Sequence, residues 1–477
     1  MGTVTEHAPL EVRMSQAVST RSPSRGLALA VLCAQTLMIV LDQTIVNVAL
    51  PSIRDDLGFS GPGLAWVVNS YLIAFGGLLL LAGRLGDLLG RRRVFLAGMV
   101  LFTAASLLCG VAWDSGALVV ARFLQGIGGA ASSAVVLGMI VRLFPEPAAR
   151  AKAIGAFSFV QAAGGTIGSL AGGLLTAVAS WHWIFLINVP IGLVTALVAL
   201  RVLDADRGTG MRAGADVPGA VLVTAALMLG VYTIVEVDGH GLAHTLGSGA
   251  LVIGLLAAFL LRQSRAAAPL LPLRIFASRS LSGGNLVGAL LFAAMFGFQF
   301  LIVLYLRQVL DFSAEQTGFA MVPAAASIAV ISLGVSAPVT NRFGERPVLL
   351  SGLGLIITGL VLLARAPVDG SYPVDVLPAL LVLGIGFGFA MPALMALGMR
   401  DARPEDTGLA SGLFNTTQQV AGALGLSVLA VVAATRSETL ATRDLPAALT
   451  SGYHLAFWIG AAMVAARTVL AAITLRR

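Results

Sequence analysis

"GRLGDLLGRRRVFL" occupies residues 83–96, and "APVTNRFGERPVLL" occupies residues 337–350. Gly90 of the first matches Gly344 of the second, Arg92 matches Arg346, and an apolar run follows each. The offset is 254 residues, from Gly90 to Gly344. A second echo lies further along: "GIG" at 126–128 recurs at 384–386, offset by 258 residues. Both loop copies are basic and both follow a long apolar run, so the two repeats share one orientation. A parallel repeat of several helices, related by an axis along the membrane normal, is what such a spacing describes.

The rest of the chain fits a membrane setting. Of 477 residues, 57% are hydrophobic and 11% are charged, against about 25% charged in soluble domains; the mean hydropathy is +0.92. Apolar runs long enough for about 30 Å of hydrocarbon fall near 27–50, 62–83, 93–113, 116–142, 151–177, 183–203, 217–236, 245–262, 281–306, 314–338, 347–364, 375–399, 408–433 and 452–473. The expected fold is therefore all-α, with fourteen transmembrane helices. Of the 30 Lys and Arg, only Arg54, Arg307, Arg365, Arg436 and Arg443 fall in loops of one side, and Arg122 and Arg467 fall within helices. All the others lie on the opposite side, which predicts cytoplasmic N- and C-termini. The net charge of +7 and pI near 10.2 thus express topology, and no nucleic-acid partner is expected. Residues 1–26 form a polar, basic tail with no signal-peptide pattern. Cys33 and Cys109 have neither metal-ligand nor redox spacing and read as core fillers.

Five segments resemble the major facilitator superfamily, specifically its fourteen-helix drug:proton antiporter branch. "GRLGDLLGRRR" resembles the loop between helices 2 and 3, "RFLQGIGGA" (122–130) the Arg-containing helix 4 motif, and "GGTIGSLAGG" (164–173) the glycine-rich antiporter motif of helix 5. "LDQTIVNVALP" (41–51) and "WHWIFLINVPIG" (181–192) resemble further segments of that branch. The resemblance implies a major facilitator fold: an N-terminal six-helix half at 27–203, an inserted helix pair with linkers at 204–280, and a C-terminal half at 281–477. It also implies a conformational latch from Gly83, Asp87, Gly90 and Arg91, in which Asp87 meets its basic cluster and the N-terminus of the facing thirteenth helix, near Thr407. Gly164, Gly168, Gly172 and Gly173 make a side-chain-free stripe for close helix packing. Ser169 stands where the family usually has proline, so no proline kink is expected there.

Asp42 is the carboxylate that lies unambiguously inside a span. With the first span ending near Leu50 it lies about 12 Å below that end, and Arg122 lies about 9 Å below the start of the fourth span. The two are therefore expected at one level of one half. Gln35 precedes Asp42 by two turns and Gln125 follows Arg122 by one, completing a polar layer that suggests a wet cavity. Ionisable groups in membrane helices are functional candidates; here Asp42 would exchange a proton and Arg122, permanently charged, would tune it. Using the 258-residue offset, the second half has the apolar Leu380 where the first has Arg122. Arg467, ten residues from the C-terminus, is expected to reach the interface by snorkelling. Tyr71, Gln161, Gln299, Asn415, Gln418 and Gln419 are candidate linings of a substrate cavity.

The chain reads as a secondary active transporter, not an enzyme: a proton-coupled exporter of hydrophobic small molecules such as drugs, antibiotics or dyes. Its lone lysine, Lys152, follows Ala151, which excludes the phosphate-binding loop G-x-x-x-x-G-K-[ST]. No cofactor is expected; the proton gradient supplies energy, and the partners are substrate, protons and lipid, with the chain a monomer in the bacterial cytoplasmic membrane. A polar-nutrient importer or uniporter would need denser hydrogen-bonding groups at mid-depth. An integral-membrane enzyme would need a nucleophile, metal ligands or paired carboxylates. The nearest ligand set is Asp238, His240 and His244, a loop grouping without a further ligand at suitable spacing. A receptor or scaffold would not require the coupling motifs.

Overall fold

The computed structural model describes residues 25–60, 62–206, 208–210, 214–236, 241–399, 407–440 and 445–474. Most of the basic tail, Asp238, His240 and the segment before Thr407 lie outside them. Among the described residues, fourteen helices are long and apolar enough to cross a membrane. They are α1 (Arg25–Leu57), α2 (Ala65–Leu89), α3 (Arg91–Gly110), α4 (Ser115–Leu143), α5 (Pro147–Val178), α6 (Trp183–Val202) and α7 (Val217–Val235). The remainder are α8 (Gly241–Arg265), α9 (Arg279–Gln308), α10 (Ala314–Phe343), α11 (Glu345–Leu363), α12 (Tyr372–Gly398), α13 (Thr407–Leu440) and α14 (Leu445–Thr474).

Local sequence sets the boundaries. Asp114, Asp216 and Ser278 cap α4, α7 and α9 by accepting from backbone N–H groups, and Ser313 with Gln316 forms a capping box at α10. Gly90 and Gly344 have φ of +100° and +88°, a region that side-chain-bearing residues avoid. The glycine shared by the two loop repeats is thus a backbone requirement. Several expected spans change, among them α1, α6 and α10. α1 continues through Pro51 to Leu57, since a membrane helix tolerates the lost N–H when neighbours compensate. α6 is interrupted at Ile187, just before Asn188 and Pro190. α10 contains a π turn at Ile331–Val335.

The two halves repeat in three dimensions. In the first, Gly98 of α3 crosses Gly128 of α4, and in the second Gly352 of α11 crosses Gly386 of α12; each glycine lies against the partner's backbone. Gly126 sits on the Tyr71 carbonyl of α2, and Gly384 on the Ala324 carbonyl of α10, an offset of 253 between carbonyls. The π turn in α10 adds one residue, which restores 254 at Gly90 and Gly344. The halves meet along two related seams, α5 with α10 and α2 with α13. Helix α7 packs on both α2 and α13, with Thr224 against Gly77, whereas the extensive contacts of α8 are confined to α7. Leu242, Leu246, Leu251 and Ile253 of α8 are exposed, as lipid-facing residues would be.

The face where α1 begins carries most of the described Arg and Lys and is called the basic face; the other is the far face. One large core joins far-face residues of α1 and α2 to α9, α11, α12 and α14. The core near the basic face of the first half contains no residue of the second half. α1 also contacts α9 and α10, while neither α4 nor α5 makes an extensive contact with α12 or α13 among the described residues. The molecule is closed at the far face.

Candidate functional site: a buried charge pair between α1 and α4

Asp42 and Arg122 are 0% and 1% exposed and form an ion pair, Arg122 Nη1 to Asp42 Oδ2 at 2.5 Å. The expected level is correct although α1 runs farther than expected: Asp42 is near its middle, about 22 Å from Leu57 at 1.5 Å per residue. Gln125, one turn along α4, donates from Nε2 to Asp42 Oδ1 at 2.7 Å and accepts at Oε1 from Arg122 Nη1 at 2.6 Å. Its Nε2 also donates to Ser106 Oγ of α3 at 2.8 Å, and Cys109 Sγ lies 3.6 Å from its Oε1. Asn188 donates from Nδ2 to Asp42 Oδ1 at 3.2 Å. Arg122 Nε donates to the Val67 carbonyl of α2 at 3.0 Å. The guanidinium lies 4.4 Å from the Tyr71 ring centroid and 5.6 Å from that of Phe185, at cation–π distance.

Five helices therefore hold one ion pair. A buried pair survives only when its remaining lone pairs and protons are also satisfied, and here each oxygen of Asp42 has a donor. Every protein group contacting that carboxylate donates, so a proton on Asp42 would find no acceptor among them. The expected wet cavity is corrected: the layer is sealed in this state, because Tyr71 and Phe185 close over the guanidinium. Gln35 is buried but does not touch Asp42; its Nε2 donates to Ser132 Oγ of α4 at 2.8 Å. Sequence reasoning passed over Asn188, Ser106 and Ser132, and read Cys109 as filler. An Asn two residues before Pro190 in an apolar helix was the signal available for Asn188.

The loop motif is tied mainly within its own half. Asp87 pairs with Arg91 at 3.1 Å. Arg91 also donates from Nη1 to the Gly138 carbonyl of α4, and Arg92 from Nη2 to the Leu200 carbonyl of α6. The N-terminus of α3 is capped by a residue not foreseen, Asp206, which accepts from the N–H groups of Arg91 (2.7 Å) and Arg92 (3.0 Å). Burial pushes the Asp206 carboxyl up, but the N–H groups of Arg92 and Arg91, with Arg142 nearby, hold it below its ordinary value. Gly83 has open space around it. The facing segment before Thr407 lies outside the described residues.

The glycine stripe divides its contacts. Gly164, Gly168 and Gly172 pack on Val40, Thr44 and Ile45 of α1, while Gly173 lies against Gly318 of α10, at the far-face end of the α5–α10 seam. The cavity candidates differ in burial and neighbours. Tyr71 belongs to the charge-pair chamber. Gln419 is buried where α13 crosses Gly76 of α2. Gln161 and Asn415 are exposed, and Gln299 and Gln418 are half-buried. Asn415 donates to the Ser411 carbonyl of its own helix. Arg467 does not snorkel: it is fully buried, and its guanidinium nitrogens have no hydrogen-bond partner. α14 runs on to Thr474, which leaves Arg467 about 10 Å inside the helix end. Among the described residues no cluster of His, Cys, Asp and Glu could hold a metal.

Two repeated six-helix bundles, enclosing a charge pair shielded from lipid, define an integral membrane transporter rather than an enzyme. The chain belongs to the Major Facilitator Superfamily, whose family model matches residues 32–426. It is 39% identical over 422 residues to the puromycin resistance protein of Streptomyces alboniger, covering 88% of this chain and 84% of that protein. It is 36% identical over 443 residues to the cephamycin export protein of Amycolatopsis lactamdurans, covering 92% and 90%. Among solved structures it resembles an auto-inhibited POT family peptide transporter, with a TM-score of 0.69 at 17% identity over 95% of this chain and 96% of that one. A bacterial homologue of the human lysosomal transporter Spinster gives 0.68 at 16% identity, over 95% and 97%. These two likenesses show the fold alone.

Proposed function

We propose that this protein exports hydrophobic small molecules, antibiotics among them, across the bacterial cytoplasmic membrane in exchange for protons. The halves at 27–203 and 281–477 would rock about their seams, with the basic face cytoplasmic. The observation that carries the reading is the Asp42–Arg122 pair, held by five helices at mid-membrane in one half alone. Its counterpart in the second half is apolar: Leu380 is buried in the core. Relatives named for puromycin resistance and for cephamycin export support antibiotics as the substrate class.

The chemistry follows from the donors around Asp42. In the state closed at the far face both oxygens of the carboxylate accept from donors. Protonation requires the pair to part, since Arg122 keeps its charge at any physiological pH. Rearrangement of α1 against α4 would supply that parting when the far face opens, so that Asp42 takes a proton there. Closure of the pair expels it on the other side. The tetracenomycin C resistance and export protein of Streptomyces glaucescens, 34% identical over 91% of this chain, supports the same export reading. Puromycin accumulation in an efflux-deficient host tests the export reading. Wild type should lower accumulation and Asp42→Asn should not, at equal membrane expression. Equal accumulation with and without the wild-type protein, across puromycin, cephamycin and tetracenomycin C, would overturn it.

A further inference from the structure

Two buried side chains, each with a polar atom lacking a hydrogen-bond partner among the described residues, reach one turn of α4 on the basic-face side of the charge pair. The atoms are the hydroxyl of Tyr71 and Oε1 of Gln35; both residues are 0% exposed. The Tyr71 ring begins beneath the Arg122 guanidinium, and its hydroxyl lies against Gly129, 2.9 Å from where a Cβ of that residue would stand. Gln35 reaches the same turn from α1, its Nε2 on Ser132 Oγ. Ser132 Oγ approaches the Gly128 and Gly129 carbonyls at 3.0 and 3.2 Å, so its proton is committed there and it accepts from Gln35. That fixes the amide with Nε2 on the serine and Oε1 free to accept from something else. Gln43 of α1 also approaches the tyrosine hydroxyl, outside hydrogen-bonding geometry.

Arg122, Gln125, Gly129 and Ser132 follow one another at spacings of three and four, which place them along one face of α4. On that face lie, in order, the ion pair, a tyrosine hydroxyl able to donate and accept, and an amide oxygen able only to accept. Buried polar groups left unpaired by the protein are characteristically joined by ordered water. We propose that Tyr71 and Gln35 form a water-bridged relay through which the proton leaving Asp42 travels toward the basic face. The inference rests on the proton-coupled reading above and adds the route. When the pair re-forms, the carboxylic O–H of Asp42 breaks and its proton passes by water to the Tyr71 oxygen. The Tyr71 O–H proton moves in the same event to the water held by Gln35, which releases one proton to the next water. Tyrosine and water end as they began, and one proton has left Asp42. Gln35 transfers none; it positions the water.

Tyr71→Phe is a direct test, since it removes the hydroxyl while the ring keeps its place on Arg122. Gly129→Ala is the complementary variant: it keeps the hydroxyl but puts a methyl group 2.9 Å from its oxygen, which must shift. Both should slow proton release in proteoliposomes, read by a trapped pH dye after a substrate jump, on the order of tenfold or more. The residual rate of Tyr71→Phe should show an altered solvent deuterium isotope effect. Gln35→Met should slow release in the same direction. Wild-type release rates and isotope effects in Tyr71→Phe and Gly129→Ala, alongside an uncoupled Asp42→Asn, would overturn the relay and leave the Asp42 reading standing. Normal coupling in Asp42→Asn would instead sink the reading on which the relay rests.

Discussion

Arg467 and Arg122 are both arginines buried inside membrane helices, and their surroundings are opposite. Arg122 has a carboxylate, an amide oxygen, a backbone carbonyl and two aromatic rings around it; the guanidinium of Arg467 has no hydrogen-bond partner. A buried unpaired charge is costly, and replacing it by an apolar side chain of similar length removes that cost. Arg467→Met should therefore raise the thermal unfolding midpoint in detergent, by the equivalent of about 1 kcal/mol or more. A lower midpoint would show that the guanidinium is satisfied in the protein as it exists. Arg122→Met should do the reverse, since it strands Asp42, and lower stability by about 3–5 kcal/mol. The difference between these arginines was not legible in the sequence. Both are single basic residues in apolar helices, and distance from the chain end does not report where a helix stops. Asp42 and Arg122, by contrast, could be paired from sequence, because helix direction and charge bias place them at one level even with the end of α1 misjudged.

At the scale of elements, the crossing of α3 and α4 depends on two glycines and is copied in α11 and α12. A Cβ on Gly128 would stand 2.8 Å from the Gly98 carbonyl oxygen, whereas one on Gly155 would meet nothing within 4 Å. Gly128→Val should lower the unfolding midpoint, with overpacking costing about 1–3 kcal/mol, and Gly155→Ala should be neutral or slightly stabilising. The same sign at both positions would show that helix approach does not set their roles. The cap on α3 carries a pH signature. Asp206 ionises more readily in the fold than its ordinary value of 3.8, so its contribution is present above that value and is lost as pH falls through the lower folded value. Asp206→Asn should cost about 1 kcal/mol near neutral pH, and unfolding midpoints measured across pH should begin to approach wild type below the ordinary value of 3.8 and meet it under the lower folded value. A constant difference at every pH would mean that the charge on Asp206 is irrelevant. Glycine and arginine repeats made the paired loops legible in advance. Asp206 was not, because a cap supplied from a linker more than a hundred residues away leaves no local pattern.

At the scale of the molecule, a chain of six-helix repeats encloses an asymmetric interior. The crossings, seams and loop glycines obey the pseudo-symmetry, while the charge pair and the inserted α7–α8 pair break it. Helix α7 covers Gly77 with Thr224 on one seam; near the equivalent position of the other seam, Val330 of α10 is 63% exposed. Asn69 of α2 donates to Ser427 of α13 at 2.8 Å, a buried bond between the halves that opening of the far face would strain or break. Fold and repeat could be read early because hydropathy and glycine spacing are properties of the chain. The substrate lining could not, since spacing along a helix does not report which single polar residue ends exposed, in a seam or beside the charge pair, as Gln161, Gln419 and Tyr71 respectively do. The central claim is that Asp42 carries the exchanged proton, and its most direct test is substrate-driven proton movement in sealed proteoliposomes. With a compound whose accumulation the wild type lowers as cargo, wild type should move protons opposite to the drug, and Asp42→Asn should move drug down its own gradient with no proton signal. Proton movement in Asp42→Asn at the wild-type ratio of protons to drug would contradict the account.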